Sequence, residues 1–237
     1  MYFIFNNIFY RPLLNILGVI IAIVPGHSLG IAVIVLTVLI SVALLPLSMK
    51  MRRSQSLINE IKPEIEKIRQ QTKDKSEQAR RTMELYKEKN VSPFSGFLLI
   101  LIQLPLFFAL FKVLQNLNDL ARDAYDFLPI FSPFNPIFIG GIDLTHPHIA
   151  LAISAGIFQL AQGILTLRSQ PKDKKPASDF ATALQKQMTF TMPIFIVLIS
   201  MNLPSAMALY WTTLSLFAIV HEVFWRPHGR DSVHIKQ

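Results

Sequence analysis

The side chains that could do chemistry in this chain are neutral and polar, and they lie inside long apolar stretches. Hydroxyl, amide and indole groups donate or accept hydrogen bonds, but they do not form an acid–base pair. The candidates are Thr37, Ser41, Gln103, Gln159, Gln162, Asn202, Ser205, Trp211 and Thr212. Polar groups in hydrocarbon must find partners, so one interpretation is that they hydrogen-bond neighbouring helices together.

Nothing typical of an active site or a metal centre accompanies these residues. The chain contains no cysteine, which excludes thiol catalysis, disulfides and cysteine metal ligands. The histidines show no metal-ligand spacing, and the sequence has neither a glycine-rich phosphate loop nor a legible Ser/His/Asp arrangement. The sequence therefore predicts no metal, no cofactor and a protein that is not an enzyme.

Long uncharged runs indicate a membrane protein. They cover residues 29–49, 91–111, 149–167 and 187–221, and a span takes about 20 apolar residues. The last run is too long for one span, and Asn202-Leu203-Pro204-Ser205 predicts a turn within it. We therefore expect an all-α integral membrane protein with five transmembrane helices, at 29–53, 91–115, 148–168, 186–202 and 205–224.

The basic residues predict the orientation. Segments 50–90, 168–187 and 225–237 contain 20 of the 23 lysines and arginines. By the positive-inside rule these segments face the cytoplasm, which places the N-terminus outside and the C-terminus, a tail at 225–237, inside. Residues 169–185 are then a cytoplasmic loop and 116–147 an external loop. The absence of a transit-peptide pattern favours the bacterial plasma membrane.

Residues 1–28 predict a helix lying in the external membrane interface. The apolar stretch 12–25 is bounded by prolines and is too short to span, and Asn7, Arg11, Asn15 and Gly18 form a polar stripe along it. A signal peptide is the alternative, but the segment lacks a basic start and a small-residue cleavage site.

Residues 54–90 predict a cytoplasmic helical hairpin. Ile58, Ile61, Ile65 and Ile68 recur at helical spacing, and a second helix follows a turn near residue 72. Its basic side chains are candidates for contact with anionic lipid or ribosomal RNA: Arg52, Arg53, Lys62, Lys67, Arg69, Lys73, Lys75, Arg80 and Arg81. The alternative is a solvated surface that merely follows the positive-inside rule.

Several short motifs occur in a characteristic order along residues 10–225. They are Leu44-Leu45-Pro46-Leu47, Ile61-Lys62-Pro63, Leu85-Tyr86-Lys87-Glu88, Val91-Ser92-Pro93-Phe94-Ser95-Gly96, Gln103-Leu104-Pro105-Leu106-Phe107-Phe108-Ala109-Leu110, Met192-Pro193-Ile194, Leu203-Pro204-Ser205-Ala206 and Leu209-Tyr210-Trp211. Together with the five predicted spans, they resemble the YidC/Oxa/Alb family of membrane protein insertases, in its compact bacterial form.

The resemblance implies five helices around a hydrophilic groove that is open to the cytoplasm and to lipid and closed outside. A hydrophobic segment of a nascent protein passes along this groove into the bilayer without nucleotide hydrolysis. The polar residues and Trp211 are then candidates to line the groove. The expected partners are nascent membrane proteins and membrane lipids, not DNA; the ribosome and the Sec translocon are further candidates that the sequence leaves open.

The sequence departs from the family at Ser41. Most bacterial members carry an arginine there, five residues before the proline of the Leu-Pro motif. A neutral groove is therefore expected, and an assembly subunit without insertase activity stays an alternative. A small secondary transporter is a further alternative, although no internal repeat or mid-span ionisable residue supports it. Phe127, Phe131, Phe134 and Phe138 suggest an aromatic segment that closes the outer face.

Overall fold

The computed structural model describes residues 2–72, 74–91, 95–117, 124–125, 133–168 and 180–224. The helices in chain order are α1 (Tyr2–Phe5), α2 (Arg11–Ile23), α3 (Leu29–Gln71), α4 (Lys75–Glu88), α5 (Ser95–Gln115), α6 (Ile149–Arg168), α7 (Phe180–Ser200) and α8 (Ser205–Phe224). Two short strands, β1 (Ile137–Phe138) and β2 (Ile142–Asp143), pair antiparallel between α5 and α6. The described part of the chain is thus mostly helical, and the prediction of an all-α chain misses this pair of short strands. The predicted tail 225–237 and most of the loop 169–185 lie outside the described residues.

The N-terminal helix is longer than its apolar core suggested. A π-helical turn, Asn6–Tyr10, joins α1 to α2, so helical backbone runs from Tyr2 to Ile23. A helix of this length and hydropathy is long enough to cross a membrane, so the length argument for an interfacial placement was wrong. The helix ends before Gly26, whose φ of 66° belongs to the left-handed region, and Ser28 then caps α3 by accepting a hydrogen bond from the amide of Ile31.

Helix α3 is a single helix of 43 residues. It passes the predicted boundary at 53/54 without a break, and Pro46 and Pro63 lie inside it. Its final turns form the first arm of the predicted hairpin, with α4 as the second arm. Ile61 and Ile65 of α3 are buried against Leu85 and Val91, because the isoleucine stripe is the apolar face that this arm offers to α4.

The helices enclose a core in which α8 is central. Helix α8 packs between α3 and α6, α7 packs on α6, and α5 packs on α3. Leu14 and Leu17 of α2 are buried in the same cluster as Leu36 of α3, Leu110 of α5 and Met207 of α8. The N-terminal helix is therefore an integral part of this core.

Two glycines let α6 and α7 approach closely. A Cβ atom on Gly156 would lie 2.4 Å from Cγ2 of Val197, and one on Gly163 would lie 2.8 Å from Cγ2 of Thr189. Small residues at such crossings allow helix backbones to pack tightly within membranes.

Four helices are long and apolar enough to cross a membrane, judged on the described residues alone. They are Phe3–Ile23, Leu29–Met51, Ile149–Arg168 and Ser205–Phe224. Shorter apolar stretches, Gln103–Gln115 and Gln187–Ser200, lie in α5 and α7. The protein is therefore a multi-pass membrane protein, and the five-span count stays a prediction.

Residues 133–148, which we call the hairpin cap, tie two helix starts together. The amide of Leu29, at the start of α3, donates to Asn135 O (2.9 Å), and the amide of Ala206, at the start of α8, donates to Leu144 O (3.0 Å). Phe134 and Phe138 pack against the buried core, with the ring of Phe138 lying over Gly30. Phe127 and Phe131 of the predicted aromatic segment lie outside the described residues.

Candidate functional site

Two adjacent side-chain contacts join α5 to α8. Gln103 Nε2 donates a hydrogen bond to the hydroxyl of Tyr210, and the ring of Phe107 stacks on Trp211 with 5.2 Å between centroids. Gln103 and Phe107 lie one helical turn apart on α5, and the two aromatic residues are consecutive on α8. We call these four residues the α5–α8 contact. It places an amide, a phenol and an indole together inside apolar helices.

On α3, the hydroxyls of Thr37 and Ser41 are both buried. Thr37 Oγ1 donates to the carbonyl of Val33 (2.6 Å), and Ser41 Oγ donates to the carbonyl of Thr37 (2.7 Å). Their protons are thus satisfied by their own helix, while their oxygens keep the capacity to accept. The position at which the family resemblance implies an arginine therefore carries a neutral hydrogen-bond acceptor.

A row of hydrogen bonds staples α6 to α8. Ser154 Oγ lies 3.2 Å from Thr212 Oγ1, and Ser215 Oγ donates to Gln159 Oε1 (3.0 Å). Further along, Thr166 Oγ1 donates to Glu222 Oε2 at 3.5 Å. Gln159 and Thr212 thus contact residues of the neighbouring helix, and their role in lining a groove stays a prediction. Gln162 is half-buried on α6, three residues beyond Gln159.

Asn202 and Ser205 do not lie with the other candidates. Asn202 is exposed in the turn between α7 and α8, where its amide donates to Leu198 O (3.1 Å). Ser205 is fully buried, and its Oγ donates to Asp143 O in the hairpin cap. Both residues thus lie at the start of α8 beside the hairpin cap, and their role in lining a groove stays a prediction.

Tyr210 is the site residue that was missed as a candidate. Tyr210 belongs to the Leu209-Tyr210-Trp211 motif, but a tyrosine in an apolar helix is usually interpreted as a packing residue. Only the structure shows that its hydroxyl accepts a hydrogen bond from Gln103. Ser154 was missed as well, because a lone serine in an apolar helix carries no signal of its partner.

The basic candidates on the helical hairpin, which α3 and α4 form, fall into two groups. Arg80 and Arg81 both bind Glu77, at 2.8 and 2.7 Å, and Arg80 also binds Glu84. The hydrogen bonds from Arg80 and Arg81 lower the pKa of Glu77 to about 2, so this carboxylate stays charged and offsets the arginines. In the second group, Arg53, Lys67 and Lys75 have exposed side chains.

Three basic candidates have no described side chain. Lys73 lies outside the described residues, and Arg52 and Lys62 belong to α3 through their backbone only. Arg69 is exposed near the end of α3, where its carbonyl accepts from Gln78 Nε2 (3.2 Å). In the part of the chain that the structure describes, no three histidine or carboxylate side chains are grouped to hold a metal ion.

Apolar helices with polar contacts buried between them define the class, a helical integral membrane protein. Residues 20–230 match the profile of the 60Kd inner membrane protein family. The membrane protein insertase YidC of Fusobacterium nucleatum is 34% identical over 203 residues, which are 85% of this chain and 88% of that protein. The same-named protein of Clostridium tetani is 34% identical over 193 residues, covering 81% and 79%.

The fold is also similar to that of a solved relative. The crystal structure of an active YidC insertase with its first transmembrane domain resolved superposes with a TM-score of 0.58, at 23% identity, over 84% of this chain and 42% of that one. The chain belongs to the YidC/Oxa1 family of membrane protein insertases, whose bacterial members are multi-pass proteins of the inner membrane.

Proposed function

We infer that this protein is a membrane protein insertase that passes hydrophobic segments of nascent proteins from the cytoplasm into the bilayer. Family membership supports the activity, and one observation carries the route: neutral polar atoms of α3, α5 and α8 lie within apolar helices, at Ser41, Gln103 and Tyr210. We place a hydrophilic groove along these three helices. No nucleotide takes part.

Polar side chains in the groove replace some of the hydrogen bonds to water that the polar residues flanking a substrate segment lose in the membrane. Moving one charged side chain to the bilayer centre costs at least about 2.5–3.5 kcal/mol. Ser41 Oγ donates its hydrogen bond to the carbonyl of Thr37 and is 8% exposed, so its oxygen can accept a hydrogen bond from a passing segment, whereas Thr37 is only 1% exposed. A segment that carries hydrogen-bond donors, such as backbone amides or lysine, is therefore stabilised more in this groove than a segment that carries carboxylates.

The topology proposed for this activity has five spans, with the N-terminus outside and the C-terminus in the cytoplasm. Helices α5 and α7 each have 21 residues, enough to cross at about 1.5 Å per residue. With α3, α6 and α8 they make five spans, and the basic segments then lie on the cytoplasmic side.

The N-terminal helix lies along the outer interface in this proposal, although it is long enough to span. At one end, Asn6 Oδ1 accepts from Lys112 Nζ (3.1 Å), one turn before α5 ends. At the other end, His27 leads directly into the start of α3. If α3 and α5 each cross the membrane once, these two points are on the same side, so the helix between them runs along the surface.

The helical hairpin formed by the end of α3 and by α4 is proposed to bind partners at the cytoplasmic surface. Lys67 and Lys75 are exposed, whereas Arg80 and Arg81 are offset by Glu77. Each exposed lysine contributes about 1 kcal/mol of attraction to an anionic membrane surface. Anionic lipid headgroups are thus the proposed contact, and the ribosome and the Sec translocon are candidate partners of the same face.

A second candidate function is an assembly subunit without insertase activity, which Ser41 favours because it removes the arginine of the groove. The two are distinguished by disulfide crosslinking, because the natural chain contains no cysteine. A substrate segment with one cysteine is offered to Ser41→Cys and to the control Ile153→Cys, on α6.

Ser41 is only 8% exposed, whereas Ile153 is 46% exposed on the surface of α6. A segment travelling in the groove reaches position 41 and crosslinks there at least several-fold more than at position 153. Equal crosslinking at both positions, or crosslinking at position 153 alone, would mean that the segment passes through lipid and that the groove proposal is wrong.

A further inference from the structure

The hairpin cap exposes apolar side chains at its tip. Residues 133–142 carry no charge, and Ile137 and Ile139 are 46% and 79% exposed. Two large apolar side chains exposed within three residues, in a segment without charge, favour contact of this tip with another apolar phase.

Several backbone groups at the tip form hydrogen bonds within the hairpin cap. Ile137 N donates to Asn135 Oδ1 (3.0 Å), Leu144 N donates to Pro136 O (3.0 Å), and β1 pairs with β2. Gly140 and Gly141, with φ of 77° and 79°, close the turn. These bonds satisfy part of the backbone of the tip, which lowers the cost of moving it out of water.

The anchoring of the cap fixes how deep the tip lies. Asn135 exchanges backbone hydrogen bonds with His27 and Leu29, and Phe138 packs over Gly30 in the first turn of α3. The next residue of that turn, Ile31, is an exposed apolar side chain of a spanning helix. The apolar surface of the tip is thus continuous with the lipid-facing surface of α3.

The other end of the cap is polar and belongs in water. Asp143 Oδ1 accepts from Thr145 N (2.8 Å) and Thr145 Oγ1 (2.6 Å), and His146 Nδ1 lies 3.2 Å from Asp143 Oδ2. The side chain of His146 is 77% exposed. The cap therefore has an apolar tip and a polar base.

From this asymmetry we propose that the tip of the hairpin cap, at Ile137 and Ile139, is immersed in the leaflet that surrounds the start of α3, with lipid acyl chains as its partner. In the proposed orientation this is the outer leaflet. The immersed tip holds the cap, and through it the starts of α3 and α8, at a fixed depth.

The absence of cysteine allows a direct depth measurement. Ile139→Cys and the control His146→Cys are labelled with the fluorophore NBD and reconstituted into phosphatidylcholine–phosphatidylglycerol vesicles. Quenching by a phospholipid with a nitroxide near the top of its acyl chain is compared with quenching by aqueous iodide. Both side chains are exposed, so neither label disturbs the core.

We expect the lipid nitroxide to quench the label at position 139 at least about twofold more than the label at 146, and iodide to show the reverse order. Equal iodide quenching at both positions would overturn the proposal. Protection of position 139 from both quenchers would also overturn it, because that result indicates a protein occupant such as a second copy of the chain. Insertion assayed on the same labelled protein separates failure of this proposal from failure of the insertase function.

Discussion

Gln103 on α5 donates a hydrogen bond to the hydroxyl of Tyr210 on α8, joining residues 107 positions apart in the sequence. Tyr210 is almost fully buried and Gln103 is half-buried. The bond, together with the Phe107–Trp211 stack beside it, fixes how far α5 stands from the central helix. This distance sets the width of the proposed groove.

Breaking this bond should destabilise the bundle in a coupled way. Gln103→Leu leaves the buried hydroxyl of Tyr210 without its donor, and an unsatisfied buried group costs about 1–3 kcal/mol. Tyr210→Phe removes the acceptor instead. In the double variant the two losses should overlap by about 0.6–1.7 kcal/mol, as measured by equilibrium unfolding in detergent micelles. Strict additivity would mean that the two side chains do not interact.

The approach of α6 and α7 predicts a strong size limit at Gly156. A Cβ atom there would lie 2.4 Å from Val197 Cγ2 and 3.2 Å from the carbonyl oxygen of Pro193. Gly156→Val should therefore lower the free energy of unfolding by about 1–3 kcal/mol. Ala161→Val, on the exposed face of α6, is the control and should change it little; equal effects would contradict this close packing.

The hairpin cap should loosen in acid. Hydrogen bonds from Thr145 hold the pKa of Asp143 below its usual range, with a smaller contribution from His146. Because the folded pKa is lowered, this stabilisation is complete above the unfolded value of about 3.9 and is lost as pH falls through the folded pKa. The melting temperatures of wild type and Asp143→Asn should differ near neutral pH and converge in strong acid. A constant difference would show that the carboxylate is not the cause.

The neutral face of α3 predicts how the charge of the residues flanking a substrate segment affects its insertion. Ser41 presents an acceptor oxygen at the position where the family resemblance implies an arginine. Ser41→Arg should raise insertion of segments with acidic flanks several-fold and leave basic-flanked segments unchanged or slower. Insertion of a matched pair of segments into vesicles measures this ratio. Ser41→Gln, long but neutral, is the control, and the same ratio in both variants would show that size rather than charge matters.

The sequence predicted best the features that depend on neighbours along the chain. Uncharged runs located α6 and α8, and the isoleucine spacing located the apolar face at Ile61 and Ile65. The continuity of α3 was not visible, because the change from apolar to basic composition near residue 50 alters the surroundings of a helix without ending it. Prolines are also tolerated in helices within membranes.

Features that depend on distant residues could not be predicted. Ser205 was predicted to line a groove, but its hydrogen bond to the backbone carbonyl of Asp143, 62 positions away, was not visible in the sequence. Gln159 was recognised as a polar side chain that needs a partner, but its bond to Ser215 becomes visible only when α6 lies against α8. The sequence pattern shows which kind of side chain lies on a helix face. Its hydrogen-bond partner on another helix depends on how the helices pack.

The most direct test of the account is insertion by the purified protein in liposomes. A short single-span substrate is scored by protease protection with wild type, Gln103→Leu, the control Gln115→Leu on the exposed end of α5, and protein-free vesicles. The account predicts that wild type and Gln115→Leu insert well above protein-free vesicles, and that Gln103→Leu, still folded, falls several-fold below them. Wild-type insertion no better than that of empty vesicles, across several substrates, would contradict the insertase function and favour the assembly role.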